Sequence, residues 1–126
     1  MASWKTAGGD HQLRMQGAVS KLIDSNRPGP CPVCGNPLRF YYHEWRTAPR
    51  RTGTVWVWCP ACGTWDHASR IELPARYAYD DPFAALTLAD FDRLERTGLL
   101  DRVDALWGEG RLPHAFRVTD TKKTRG

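Results

Sequence analysis

Between Asp10 and Asn26 the apolar residues Leu13, Met15, Ala18, Val19, Leu22 and Ile23 recur near helical spacing, which predicts a short amphipathic helix. Gly17 weakens that helix, and Arg27-Pro28-Gly29-Pro30 ends it. The period then shortens to two. Leu38 to Arg46, after the turn residues Gly35-Asn36-Pro37, reads as a strand with Leu38, Phe40 and Tyr42 on one face and Tyr41, His43 and Trp45 on the other. Ala48 to Gly53 is turn-prone, and Thr54 to Trp58 is a second strand whose Val55 and Val57 oppose Trp56 and Trp58. A third strand, Thr64 to Leu73, carries Trp65, His67, Ser69, Ile71 and Leu73 on one parity until Pro74 stops it. Both faces of such a sheet are apolar, so helices must cover both, or one face is left as a contact surface.

Residues 74–86 form an irregular bridge, after which helical spacing returns. Thr87-Leu88-Ala89-Asp90 has the form of a capping box, followed by Phe91 and Leu94. Thr97-Gly98 breaks this helix, and Leu99, Leu100, Val103, Leu106 and Trp107 place a second one up to Gly108. The expected architecture is one α+β domain over residues 1–126. Its parts are a flexible lead at 1–9, an N-terminal helix, a three-stranded antiparallel ribbon at 29–73 and two short C-terminal helices at 87–108 packed on the ribbon. His114 to Val118 is placed to return to the core, and 119–126 is expected to be a disordered tail.

The strongest chemical signal is a repeated motif, Cys31-Pro32-Val33-Cys34-Gly35 and Cys59-Pro60-Ala61-Cys62-Gly63. Two thiolates separated by two residues can wrap one ion in a tight knuckle; Pro sets the approach and Gly allows the positive-φ turn away from it. The spacer of 24 residues between the pairs is long, but two strands of similar length return Cys34 and Cys59 to the same end of a hairpin. The arrangement resembles the zinc ribbon, a β-hairpin module closed by two such knuckles, over roughly residues 29–73. That resemblance implies one structural Zn²⁺ in a closed site of Cys31, Cys34, Cys59 and Cys62.

Redox exchange through either pair would require an exposed pair ahead of a helix in a βαβ unit, whereas both pairs here flank strands. Disulfides fit poorly with the lack of a secretory signal, and iron remains compatible with a tetrahedral thiolate set. A catalytic zinc keeps a position open for water, which four cysteines do not leave. His67, five residues after Cys62, is read as a hydrogen-bonded core residue ahead of a ligand. The chain holds no metalloprotease histidine pair, phosphate loop, dinucleotide fingerprint or nucleophile elbow. Asp80-Asp81 and Asp90, Asp92 and Glu95 read as solvated acidic groups ahead of catalytic pairs. The expectation is therefore no enzyme.

Charge adds direction. The net +4 divides into +4 over residues 1–72, −4 over 73–110 and +4 over 111–126. Tyr41, His43 and Trp45 beside Arg46, Arg50 and Arg51 at the hairpin tip form the candidate partner-binding surface. Basic groups interleaved with aromatics suit a nucleic acid, and many zinc ribbons act in transcription or translation. The acidic C-terminal half opposes a polyanion and favours a protein partner, as for an adaptor, an assembly subunit or an inhibitor of the immunity type. No membrane or small-molecule partner is expected. With no apolar run long enough to span a bilayer, a cytoplasmic location follows as an expectation, and Arg outnumbers Lys by fourteen to four, as in GC-rich bacterial coding.

Overall fold

The computed structural model describes residues 4–119. Its elements are β1 (Lys5–Thr6), α1 (Asp10–Ser25), β2 (Arg39–Arg46), β3 (Thr52–Trp58), β4 (Thr64–Glu72), β5 (Tyr77–Ala78), α2 (Leu88–Thr97), α3 (Leu99–Gly108) and β6 (Arg117–Val118). Every residue of β3 is buried, because its β-branched and aromatic side chains alternate between two covered faces. One face, built from Phe40, Tyr42, Val55 and Val57, packs against Met15, Ala18, Val19 and Leu22 of α1 and against Tyr77 and Phe116. The other face, built from Tyr41, Trp56 and Trp58, packs against Phe91 of α2, Leu99 and Val103 of α3, and Phe83 and Leu112. Three helices thus flank a mixed sheet, an α+β arrangement.

The sheet has four strands in the order β1-β4-β3-β2, where three antiparallel ones were expected. β2, β3 and β4 form the antiparallel meander, while β1, inside the supposed flexible lead, adds in parallel to β4 at Lys5↔Thr64 and Thr6↔Trp65. The Lys5 and Ala7 amides donate to the Gly63 and Trp65 carbonyls, pairing an edge that would otherwise be open. Of the segment expected to be a disordered tail, Thr119 donates its amide to the Arg76 carbonyl, and 120–126 lie outside the described residues.

A bulge corrects the parity expected for β4. Val55 pairs with Ala68 but Gly53 with Ile71, so one extra residue enters at Ser69–Arg70, with Arg70 at φ 59°. The insertion keeps Trp65, His67 and Ser69 toward the α2 side and turns Ile71 and Leu73 into the α1 core. Helix termini follow sequence closely: Asn26 closes α1 at φ 64°, and the Thr87 hydroxyl accepts the Asp90 amide at 3.1 Å to start α2. The irregular bridge contains β5, which pairs with β6 and returns Phe116 to the core. Among the described residues no helix is long and apolar enough to cross a membrane.

Gly53 faces Glu44 across the β2–β3 bulge, where a Cβ would stand 2.3 Å from the His43 carbonyl and 2.7 Å from the Tyr42 ring. Gly53→Ala is expected to lower unfolding free energy by about 1–3 kcal/mol through overpacking. Gly17→Ala, in the middle of α1 with nothing within 4 Å, should raise it by about 0.5–1 kcal/mol by reducing unfolded-state freedom. Urea denaturation midpoints of the two variants should move in opposite directions; a shared direction contradicts the assigned packing.

Candidate metal centre and partner surface

The Arg39↔Trp58 and Trp58↔Trp65 pairs place the start of β2, the end of β3 and the start of β4 at one end of the sheet. The two cysteine knuckles sit on that end, and the sulfurs of Cys31, Cys34, Cys59 and Cys62 all lie within 4.8 Å of one another. Cys31 Sγ is 3.7 Å from Cys62 Sγ, and Cys34 Sγ is 3.4 Å from Cys59 Sγ. Four sulfurs at such separations can hold a metal ion, and the sequence motif converges as its spacing predicts.

The knuckles are near copies. The Gly35 amide donates to the Cys31 carbonyl at 2.8 Å and Gly63 to Cys59 at 2.9 Å; Cys31 and Cys59 donate to the carbonyls of Asn36 and Thr64. Gly35 and Gly63 stand at φ 84° and 79°, a conformation that would strain a side chain at either position. Backbone amides of Val33 and Cys34 face the Cys31 sulfur, and those of Ala61 and Cys62 face Cys59. The amides of Asn36 and Thr64 serve Cys34 and Cys62 in the same way. These donors stabilise thiolates, the form that binds metal.

Burial divides the four. It pushes the Cys31 thiol up, and Cys59 up to about 12, against the amide donors. The Asn36 amide, then its side chain at 3.3 Å, brings exposed Cys34 down to about 6. At Cys62 burial raises the thiol, but the Thr64 hydroxyl, 3.3 Å away, and its amide outweigh that and lower it. His67 takes no part: it is exposed on the α2 side of β4 and is not the core residue expected.

The candidate partner residues separate into buried and exposed sets. Tyr41, at 0% exposure, and His43, at 8%, are core residues rather than a stacking surface. Tyr41 donates its hydroxyl to Asp81 Oδ1 at 2.7 Å, His43 Nδ1 pairs with Asp81 Oδ2 at 2.8 Å, and the Phe83 amide donates to Oδ1. Burial and the facing carboxylate push the Tyr41 hydroxyl far above its ordinary range, which keeps it a donor. Asp81, expected to be solvated, is therefore an inward anchor tying the bridge to β2. Arg51 is also occupied, donating to the Tyr77 carbonyl at 2.7 Å and to Glu44. Arg46 donates to Thr52 Oγ1 and stands over the Trp45 ring at 5.7 Å, while Arg50 projects outward with only a 3.8 Å approach to Glu72. Trp45 is 41% exposed.

Asp104, within the acidic segment 73–110, is a second inward anchor. Its Oδ1 accepts from Arg39 and from Trp58 Nε1, both at 2.8 Å, and so fastens α3 to the sheet beside the cysteines. Its position between Val103 and Trp107, at the margin of the apolar stripe, was the available signal. Asp81 had no such signal, since its partners come from a strand far back in the chain. Compared with family models, curated proteins and solved structures, the chain finds no match in any of the three.

Exposure and proton affinity together rank the thiols. In chelated, reduced protein near neutral pH, iodoacetamide is expected to label Cys34 first and buried Cys59 last, with metal protecting all four. Peptide mapping after short exposures checks the order; equal labelling of Cys34 and Cys59 contradicts it.

Proposed function

We propose that the chain is a non-enzymatic, zinc-stabilised interaction module that meets a protein partner, as an adaptor, an assembly subunit or an inhibitor of the immunity type. Zinc is supported by the donor set: four thiolates at about 2.3 Å from Zn²⁺ stand about 3.8 Å apart, close to the sulfur separations between one knuckle and the other. Four cysteines complete a tetrahedron and leave no position for a reacting water, so the ion acts by holding strand ends together. The antiparallel β2–β4 meander closed by two matching knuckles supports the zinc-ribbon reading of this part of the chain.

Protein is favoured over nucleic acid by the employment of the hairpin-tip cations. Arg51 and Arg46 spend donors on this chain's own acceptors, Arg50 stands 3.8 Å from Glu72, and Tyr41 and His43 are covered, so each expected phosphate contact is engaged within the chain or turned inward. Outward-facing apolar groups Trp45, Leu86 and Leu88 and the acidic groups of α2 offer a surface for a protein.

Elemental analysis of protein purified without added metal is expected to give one zinc per chain. Fluorescence anisotropy with a labelled single-stranded oligonucleotide should show no binding that weakens with salt and with Arg50→Ala. A defined protein should be captured from native lysate with equal yield before and after nuclease treatment. Salt-dependent oligonucleotide binding lost in Arg50→Ala, with capture abolished by nuclease, would replace this reading with the nucleic-acid alternative.

A further inference from the structure

The second face of the sheet is not covered along its whole length. Where α2 crosses it, a cleft of about 550 Å³ opens between the helix and the strands β2, β3 and β4. Its aromatic lining includes Trp56 and His67, stacked with centroids 6.2 Å apart, and Phe91, which lies parallel to His43 at 3.7 Å. At the rim stand Leu88, 79% exposed, and Trp45. The helical wall supplies Asp92 and Glu95, and no lysine or arginine lines the cleft.

Unspent acceptors line this cleft beside the His67 ring and the Ser69 hydroxyl, which can donate as well as accept. Asp92 pairs with Arg96 at 2.8 Å, but Glu95 has no ion-pair partner among the described residues. The Trp45 indole N–H is used on Thr54 Oγ1 at 3.1 Å. His43 is nine-tenths buried, and its Nδ1 is held by Asp81; its Nε2 makes no hydrogen bond among the described residues, and the ring borders the cleft. With Nδ1 committed to the carboxylate, Nε2 is the ring nitrogen left without a partner beside the cleft. Two carboxylates and aromatic faces, with no lysine or arginine among them, repel a phosphate or carboxylate and suit a planar cation rich in N–H groups.

We infer that this cleft seats an arginine side chain presented by the protein partner, an assignment that rests on the protein-binding reading above and names the group that reading requires. The guanidinium stacks within the aromatic lining and donates to Glu95 and to His43 Nε2. The apolar stem of the same arginine packs against Leu88 and Trp45 at the rim.

A small probe tests the seat without the partner. N-acetyl-arginine methylamide titrated into the zinc-loaded full chain should cause saturable NMR shifts of the Trp45 indole N–H and the His43 ring protons. N-acetyl-leucine methylamide should bind at least tenfold more weakly. Glu95→Gln, an exposed helix position whose change leaves the core intact, should weaken the arginine probe about tenfold, and Glu95→Gln with Asp92→Asn should weaken it further. Shifts that do not saturate, that are equal for the leucine probe, or that are unchanged in both variants would overturn the assignment. Failure of this titration counts against the arginine seat and leaves the protein-binding reading standing, whereas failure to capture any protein, with the titration intact, counts against the protein-binding reading and leaves a cleft that binds a guanidinium from another source.

Discussion

A central strand buried at every residue sets the terms for the rest of this molecule. β3 alternates valine and tryptophan, so neither face can be left to water, and cover must come from both ends of the chain. α1 brings Met15, Val19 and Leu22 to the valine face, and the C-terminal helices bring Phe91, Leu99 and Val103 to the tryptophan face. The valine face is covered more fully, because Phe116 and Tyr77 stack at 4.9 Å to extend the layer begun by α1. On the tryptophan face α2 is one short helix, and the cleft is the part of that face it leaves uncovered.

Burial on this scale brings polar groups inside, and their disposition explains why some sequence signals misled. Asp81 and Asp104 look like members of an acidic, solvated stretch when read along the chain. Each instead satisfies donors carried by buried or half-buried aromatics and cations, Tyr41 and His43 in one case and Trp58 and Arg39 in the other. A buried indole or phenol needs such an acceptor, since an unmet donor costs on the order of 1–3 kcal/mol. The demand arises in β2 and β3, whereas the acceptors lie tens of residues later, a relation that local spacing cannot express.

What was legible in the sequence was whatever local chemistry decides. Helix ends at Asn26, Thr87 and Gly98, the hairpin, and the convergence of four cysteines all follow from short motifs whose conformational requirements are strict. Two features lay beyond that reach. β1 is two residues of no distinctive composition, and it is a strand because Gly63 and Trp65 present free carbonyls beside it. The β4 bulge depends on a single positive-φ residue, Arg70, of a type that does not advertise that conformation. A perfect alternation through Leu73 was the natural reading and placed two core side chains on the wrong face.

The knuckles sit at one end of the strands and the cleft begins farther along them, and this separation bears on what a metal there would do. From Trp58, beside the sulfurs, to Thr54, in the cleft wall, is four residues of extended chain, or roughly 13 Å. An ion held by the sulfurs would therefore lie outside the set of residues that line the cleft. A bound ion would act through register: the knuckles hold the ends of β2, β3 and β4 in fixed alignment, and one extra residue in each of β2 and β4 then determines which side chains reach the cleft. A slip of one residue would exchange His43, Thr54 and Trp56 for their neighbours on the other face. A metal held by the four sulfurs would thus fix which residues form the cleft without itself lining it.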